Sequence, residues 1–340
     1  MKKLALISSL LGMVIILAAC ESAGGEVNLY TSRHYDADQE LYDRFEEETG
    51  IKVNIIQAGG DVLLERILSE GSDTQADLFM TVNISLLEEA KEQGILQPFE
   101  SSIITSQVEE GLYDPELFWT GLTMRARIFA YAIDRVDASE LSTYEALAFP
   151  TFANQIVVRT SSNAYNQNMI AAFIELYGAT QTRQMIEGWV SNFARSPEGN
   201  DRDQARAVAA GIGDIAIMNT YYLGLLKHSN DPADVAVADS LGVFFPNQNT
   251  TGTHINVSGA GIVAGAKNVE NATRLLEFLT SEEGQREFAD NNFEYPVNPN
   301  VEPHPYLASF GEFKREEVPF AIIGANIEEA YEIMLEAGWQ

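Results

Sequence analysis

A single cysteine, Cys20, stands in 340 residues, so no disulfide can form within the chain and the fold has to rest on its apolar core. Positive charge is scarce: 21 lysines and arginines face 50 aspartates and glutamates, for a formal net charge of −29. That balance excludes nucleic acid as a partner, because phosphate binding requires a basic surface. Histidine occurs only four times. No Gly-x-Ser-x-Gly elbow, catalytic cysteine or His-Glu-x-x-His helix is present. Carboxylates abound without forming an evident buried pair, so the chain reads as a non-enzyme. Internal repeats and low-complexity segments are absent as well.

The N-terminus carries Lys2 and Lys3, an apolar stretch over 4–19, and Leu17-Ala18-Ala19-Cys20. A basic start, a short apolar core and small residues before the cut make a secretory signal. The tetrapeptide resembles a bacterial lipobox, in which the cysteine becomes the first mature residue and carries lipid. Residues 1–20 are therefore expected to be a lipoprotein signal peptide. Acyl chains on Cys20 would then hold a monomer at the periplasmic or outer face of the cytoplasmic membrane with no spanning helix. The remaining acidity has two readings, a cation-collecting field or a heavily hydrated surface suited to salty water. Its dispersal on helix faces, as in Glu46-Glu47-Glu48 and Glu88-Glu89, favours the second.

About 320 mature residues exceed what one core usually supports, so two lobes are expected. A tether over 21–26 leads to a βαβ unit: strand 27–30, helix 39–48 ended by Gly50, strand 52–56. A second helix presents Val62, Leu63, Ile67 and Leu68 on one face, and 77–80 returns as a buried strand. Ser85-Leu86-Leu87-Glu88 reads as a capping box opening a helix that Gly94 closes. Strand 128–133 reads as the crossing into a second lobe. There strand 156–159, helices 167–177, 182–193 and 202–210, strand 214–218 and helix 222–228 repeat the pattern. Strands near 243–245 and 261–264, helices 270–279 and 281–289, and a closing helix 326–337 complete the chain. The expectation is α/β: two lobes with mostly parallel sheets, 27–127 plus 250–302 and 128–249 plus 303–340. Crossing hinge strands would join them around an interlobe cleft.

Tyr221 and Tyr222 follow the apolar run Asp214-Ile215-Ala216-Ile217-Met218 and precede Leu223-Gly224-Leu225-Leu226, which places them where a strand ends and a helix opens. Arg33-His34-Tyr35 occupies the matching position after the first strand, ahead of Asp36 and Asp38. Open α/β sheets place ligands at such edges. Phenolate oxygen and imidazole nitrogen are donors that a hard, highly charged cation selects. Together with Tyr165, the set suggests iron(III).

Six segments then resemble the periplasmic ferric-iron-binding proteins of bacterial ABC importers, in particular the cyanobacterial type: Tyr30-Thr31-Ser32-Arg33-His34-Tyr35, Leu122-Thr123-Met124-Arg125-Ala126-Arg127, Arg159-Thr160-Ser161-Ser162-Asn163-Ala164-Tyr165-Asn166-Gln167, Gly213-Asp214-Ile215-Ala216-Ile217-Met218-Asn219-Thr220-Tyr221-Tyr222, Val243-Phe244-Phe245-Pro246-Asn247-Gln248, and Gly252-Thr253-His254-Ile255-Asn256-Val257-Ser258-Gly259-Ala260-Gly261. The resemblance spans essentially all of the mature chain. It implies the class II two-lobed periplasmic-binding fold, Fe(III) as the transported ligand and an ABC permease as partner. Position by position it implies His34, Tyr35, Tyr165, Tyr221 and Tyr222 as metal ligands. Met124 departs from the pattern, where a basic residue is expected, and touches no ligand position.

Two readings stay open for Arg127: a donor to a tyrosine oxygen or to a small anion such as carbonate just outside the metal shell, or a hinge salt bridge. Arg33, beside His34, serves as a second such donor or pairs with an acidic neighbour. His254 is expected to make a structural hydrogen bond, His228 to end a helix, and His304 to lie in an exposed loop. A receptor of the same fold for another solute, such as Fe(II), an oxyanion or a small organic cation, is the alternative function. It would call for an aromatic cage or neutral donors, which His-Tyr with Tyr-Tyr fits poorly.

Overall fold

Val27, Leu29, Leu78, Phe79 and Met80 are fully buried, the signature of strands covered on both faces. In the computed structural model, which describes residues 24–33 and 35–340, they sit in the first of two α/β halves. The leader with Cys20, and His34, lie outside the described residues. The chain alternates β1 (Gly25–Thr31), α1 (Asp36–Thr49), β2 (Ile51–Gln57), α2 (Gly60–Glu70), β3 (Leu78–Thr81) and α3 (Ile84–Glu92). β1 runs parallel to β2 on one side and β3 on the other. Gly50 ends α1 in the left-handed region (φ 69°), its N–H donating to Glu46 O.

β4 (Leu96–Gln97) and α4 (Ser102–Gln107) lead into the 13-residue β5 (Thr120–Ala132). The second half comprises β6 (Ile156–Val157), α5 (Ala164–Tyr177), α6 (Ala179–Ser191), α7 (Asp201–Ala209), β7 (Ile215–Asn219), α8 (Tyr221–Lys227), α9 (Pro232–Asp239) and β8 (Leu241–Phe244). The chain returns through β9 (Ile255–Val263), α10 (Val269–Thr280), α11 (Glu282–Asn292) and β10 (Tyr295–Pro296), and ends in α12 (Pro305–Ala308), α13 (Phe320–Ala325) and α14 (Ile327–Glu336). The strand order is β2-β1-β3-β9-β5-β7-β6. Residues 120–126 of β5 pair with β9, and residues 127–132 pair with β7 and β8. One continuous strand therefore belongs to both halves, and its midpoint is the natural hinge.

Several local expectations change. The sheet is mixed: β9 is antiparallel to both β3 and β5, and β5 is antiparallel to β7 and β8, leaving, among the described residues, the β1–β2, β1–β3 and β6–β7 strand pairs parallel. β5 begins at Thr120 rather than 128. Its early part hides in the sequence because Arg125 and Arg127 interrupt the apolar pattern, although both are buried and paired. On α2 the core face is Leu63, Leu64 and Ile67, while Val62 is 63% and Leu68 40% exposed. No capping box forms at Ser85: α3 starts at Ile84, and Glu88 instead accepts from Trp119 Nε1 at 3.1 Å. β8 pairs with β5 in the second half and is not part of the return. Strand 156–159 shortens to Ile156–Val157.

A close approach couples α8 to the segment after α11. A Cβ built on Gly224 would lie 2.4 Å from Phe293 Cγ. Gly224→Ala is expected to destabilise the protein by about 1–3 kcal/mol through overpacking. Denaturant titration checks this, and pairing the change with Phe293→Gly, which removes the clashing Cβ and Cγ at a backbone position with φ 56°, should cost less than the two single changes added together.

Candidate metal centre

Each tyrosine of the expected set stands at the start of a helix delivered by a strand or turn. Tyr35 is the N-cap of α1 in extended conformation (φ −91°, ψ 133°), a few residues beyond the end of β1. Tyr165 is the second residue of α5, its N–H donating to the N-cap Asn163 Oδ1 at 3.2 Å. Tyr221 and Tyr222 open α8 directly after β7. Thr220 pins that junction to the hinge strand, donating its N–H to Ala126 O at 3.0 Å and accepting from Ala126 N at 3.3 Å.

The three hydroxyls of Tyr35, Tyr165 and Tyr221 meet. Tyr35 donates to the Tyr221 oxygen at 3.2 Å, and the Tyr165 and Tyr221 oxygens are 3.4 Å apart. Tyr222 stacks on Tyr221, ring centroids 4.1 Å apart, and lines the same cleft as Tyr35 and Tyr165. Oxygens about 2.0 Å from one small cation stand about 2.8–3.3 Å apart at octahedral or tetrahedral angles, so these separations need little contraction to share an ion. Among the described residues no cluster of three or more His, Cys, Asp and Glu side chains could hold a metal.

Burial governs their protonation. Tyr35 and Tyr221 are pushed well above the ordinary phenol value, first by desolvation and then by the nearby Tyr165 oxygen. Tyr222 is raised by the same two causes and then by Asp201, with a hydrogen bond from Tyr221 and the charge of Arg159 acting in the opposite direction. These three phenols are therefore neutral at neutral pH, and only a strong positive charge in their midst would displace their protons.

Arg33 is buried and takes the acidic-neighbour reading. It donates through Nε and Nη2 to the two oxygens of Asp38 (2.8 and 3.0 Å) and through Nη2 to Glu294 (2.9 Å). Its guanidinium also sits over the Tyr35 ring, 4.9 Å from the centroid, and so helps hold that ring in place. For Arg127 the salt bridge is the arrangement present. It donates to Asp201 at 2.9 Å, Asn166 at 2.6 Å and Asn219 at 3.3 Å, and among the described residues to no tyrosine oxygen.

A family model for bacterial extracellular solute-binding proteins matches residues 73–310. The chain belongs to that family. Iron uptake protein A1 of Synechocystis sp. is 48% identical to this solute-binding protein over 315 residues, 93% of this chain and 88% of the relative. The major ferric iron-binding protein of Neisseria meningitidis serogroup A is 26% identical over 324 residues, 95% of this chain and 96% of the other. A solved Trichodesmium structure in complex with iron and citrate ligands is 49% identical with a TM-score of 0.88, covering 93% of this chain and all of that one (100%). A ferric binding protein from Campylobacter jejuni is 42% identical, also with a TM-score of 0.88, covering 92% of this chain and 100% of that one. The fold is the two-lobed α/β fold of periplasmic binding proteins.

The solute-binding protein also holds charged groups that sequence reasoning passed over. Arg125 and Arg159 flank the Tyr165 ring, their guanidinium carbons 5.2 and 5.5 Å from its centroid. Arg159 also lines the cleft and lies 3.9 Å from Asp201. The signal was available in outline, a basic residue at a strand end six positions ahead of a helix-opening tyrosine. The remaining histidines are structural. His254 Nδ1 meets Glu316 Oε1 at 2.5 Å, His228 Nδ1 lies 3.0 Å from Gly224 O at the end of α8, and His304 caps α12 by accepting from Tyr306 N at 3.1 Å. His304 is half-buried rather than in an exposed loop.

Proposed function

We propose that this protein captures Fe(III) between its lobes through His34, Tyr35, Tyr165, Tyr221 and Tyr222 and delivers it to the permease of an ABC importer, without catalysis of its own. The observation that carries this reading is the meeting of three phenol oxygens from junctions far apart in sequence, Tyr35 and Tyr221 being 186 positions apart. Three or four phenolates offset a +3 charge, and a neutral imidazole from His34 adds a donor without further charge. Lobes made of 27–127 with 250–302 and of 128–249 with 303–340 would bring the ligands together on closure, so the open form offers only part of the shell. A small anion such as carbonate would complete the coordination beside Arg159. Lipid on Cys20 would tether the monomer near its permease.

Titration of the apoprotein with ferric citrate, followed by visible absorbance, tests the reading. Phenolate-to-iron charge transfer should colour the complex at one iron per chain; a colourless complex at full occupancy would remove phenolate ligation.

The pH dependence follows from the raised phenols. They hold their protons in the iron-free state at neutral pH, so each phenolate formed on binding releases one proton. Affinity should therefore fall as pH drops. At fixed free ferric-ion activity the dissociation constant should rise about three to four powers of ten per pH unit, one for each proton displaced. Competition titrations between about pH 6 and 8 measure the slope, and a pH-independent constant would contradict the mechanism.

A further inference from the structure

Asn292 ends α11, and Phe293 and Glu294 follow it; all three are buried. The two outer residues bind the first half. Asn292 Nδ2 donates to Asp38 Oδ1 at 2.9 Å, and Glu294 accepts from Arg33 Nη2 and from Thr123 Oγ1, each at 2.9 Å. Arg33 and Asp38 are also groups that seat Tyr35, the guanidinium over its ring and the Asp38 N–H donating to Tyr35 O at 3.1 Å. Residues 292 and 294 are thus bolted to the mount of Tyr35.

Phe293, between them, packs against the second half. Its backbone lies in the left-handed region (φ 56°, ψ 33°), which is uncommon for a bulky residue and persists only where the surroundings over-determine it. The ring stacks on His228 of α8, centroids 4.7 Å apart and planes 22° apart, and His304 meets it edge-on at 4.7 Å. Gly224 of α8 lies so close to the ring that no Cβ fits there. Gly224 is one helical turn beyond Tyr221, so the ring bears on the helix that carries Tyr221 and Tyr222. A three-residue segment therefore ties the mount of Tyr35 to the mount of the tyrosine pair.

We propose that Phe293 is a positioning residue for the iron site: it fixes α8, and with it the Tyr221 and Tyr222 oxygens, at the separation from Tyr35 that one ion requires. The inference rests on the iron reading of the cleft. In the iron-free state the Tyr35 and Tyr221 hydroxyls hold each other by a 3.2 Å hydrogen bond. That bond loses its proton when phenolates form, and two phenolate oxygens so close repel. A packed ring holds α8 in either protonation state of the tyrosines.

Competition against a soluble ferric chelator, visible spectra of the loaded protein and thermal unfolding midpoints test this. Phe293→Ala should weaken iron about tenfold or more and shift the phenolate-to-iron band. Ile67→Ala, a core truncation on α2, which carries no tyrosine, should lower the midpoint yet leave the affinity within about threefold and the band in place. Phe293→Leu keeps apolar volume without the stack on His228 and should lie between parent and Phe293→Ala, at a loss of about threefold or more. If Phe293→Ala fails to fold, Phe293→Leu decides. A loss below about threefold in the Phe293 variant that folds, an equal loss in Ile67→Ala, or a weakened complex whose band stays in place overturns the proposal. A parent complex without a phenolate band removes the iron reading and this inference with it. A coloured parent beside an unaffected Phe293→Ala removes this inference alone.

Discussion

Exchanging Tyr221 and Tyr222 together for phenylalanine is expected to lower ferric affinity by at least about three powers of ten, ~4 kcal/mol, with little change in the unfolding midpoint. The rings survive the exchange, so the 4.1 Å stack and its burial persist and the start of α8 keeps its packing. What disappears is two of the oxygens available to a cation, together with the hydroxyl that joins Tyr35 to Tyr165. Losing those neutral hydrogen bonds costs about 0.5–1.5 kcal/mol each, small beside the metal effect. Competition against a soluble ferric chelator measures the affinity, and circular dichroism on heating measures the fold. An affinity within about tenfold of the parent would move the site elsewhere.

The second large effect is on stability. Arg33→Met should cost about 3–5 kcal/mol, because it leaves Asp38 buried without its cation and Glu294 with Arg125 alone, 3.9 Å away. Both carboxylates are almost wholly shielded, with side chains 6% and 1% exposed, so water cannot replace the guanidinium. The variant should also bind iron more weakly, since the Tyr35 ring loses the group stacked on it. Adding Asp38→Leu to the variant should recover part of the stability, because it removes the carboxylate left without a cation while Glu294 keeps Arg125. Iron affinity should not return with it. Denaturant midpoints at constant slope provide the measurement, and a loss below about 1 kcal/mol for Arg33→Met would show the cluster to be hydrated.

Much of the fold was legible because its signals are local. The runs at 27–30, 77–80 and 214–218 are apolar enough to demand strands, and the residues that follow them change to helical spacing within a few positions. That change of period placed Tyr35 and the Tyr221–Tyr222 pair at helix starts, where the structure has them. Less legible was anything that depends on a distant partner. The first part of β5 reads as loop because Gly121, Arg125 and Arg127 break its pattern, yet β9 pairs with it across more than a hundred residues. Ser85 and Glu88 have the spacing of a capping box, but the indole of Trp119 claims the glutamate. Arg127 could be read toward the tyrosines until Asp201, 74 positions away, is seen to neutralise it.

By itself, then, the sequence determined the kinds of donor atom and their seats at strand-to-helix junctions, since side-chain chemistry and periodicity act over a few residues. Only the tertiary structure decided that the Tyr35 and Tyr165 oxygens lie 3.2 and 3.4 Å from that of Tyr221, and which arginine answers which carboxylate. The physical reason is that convergence and charge pairing are set by strand register and desolvation among residues as far apart as Arg33 and Glu294, 261 positions along the chain.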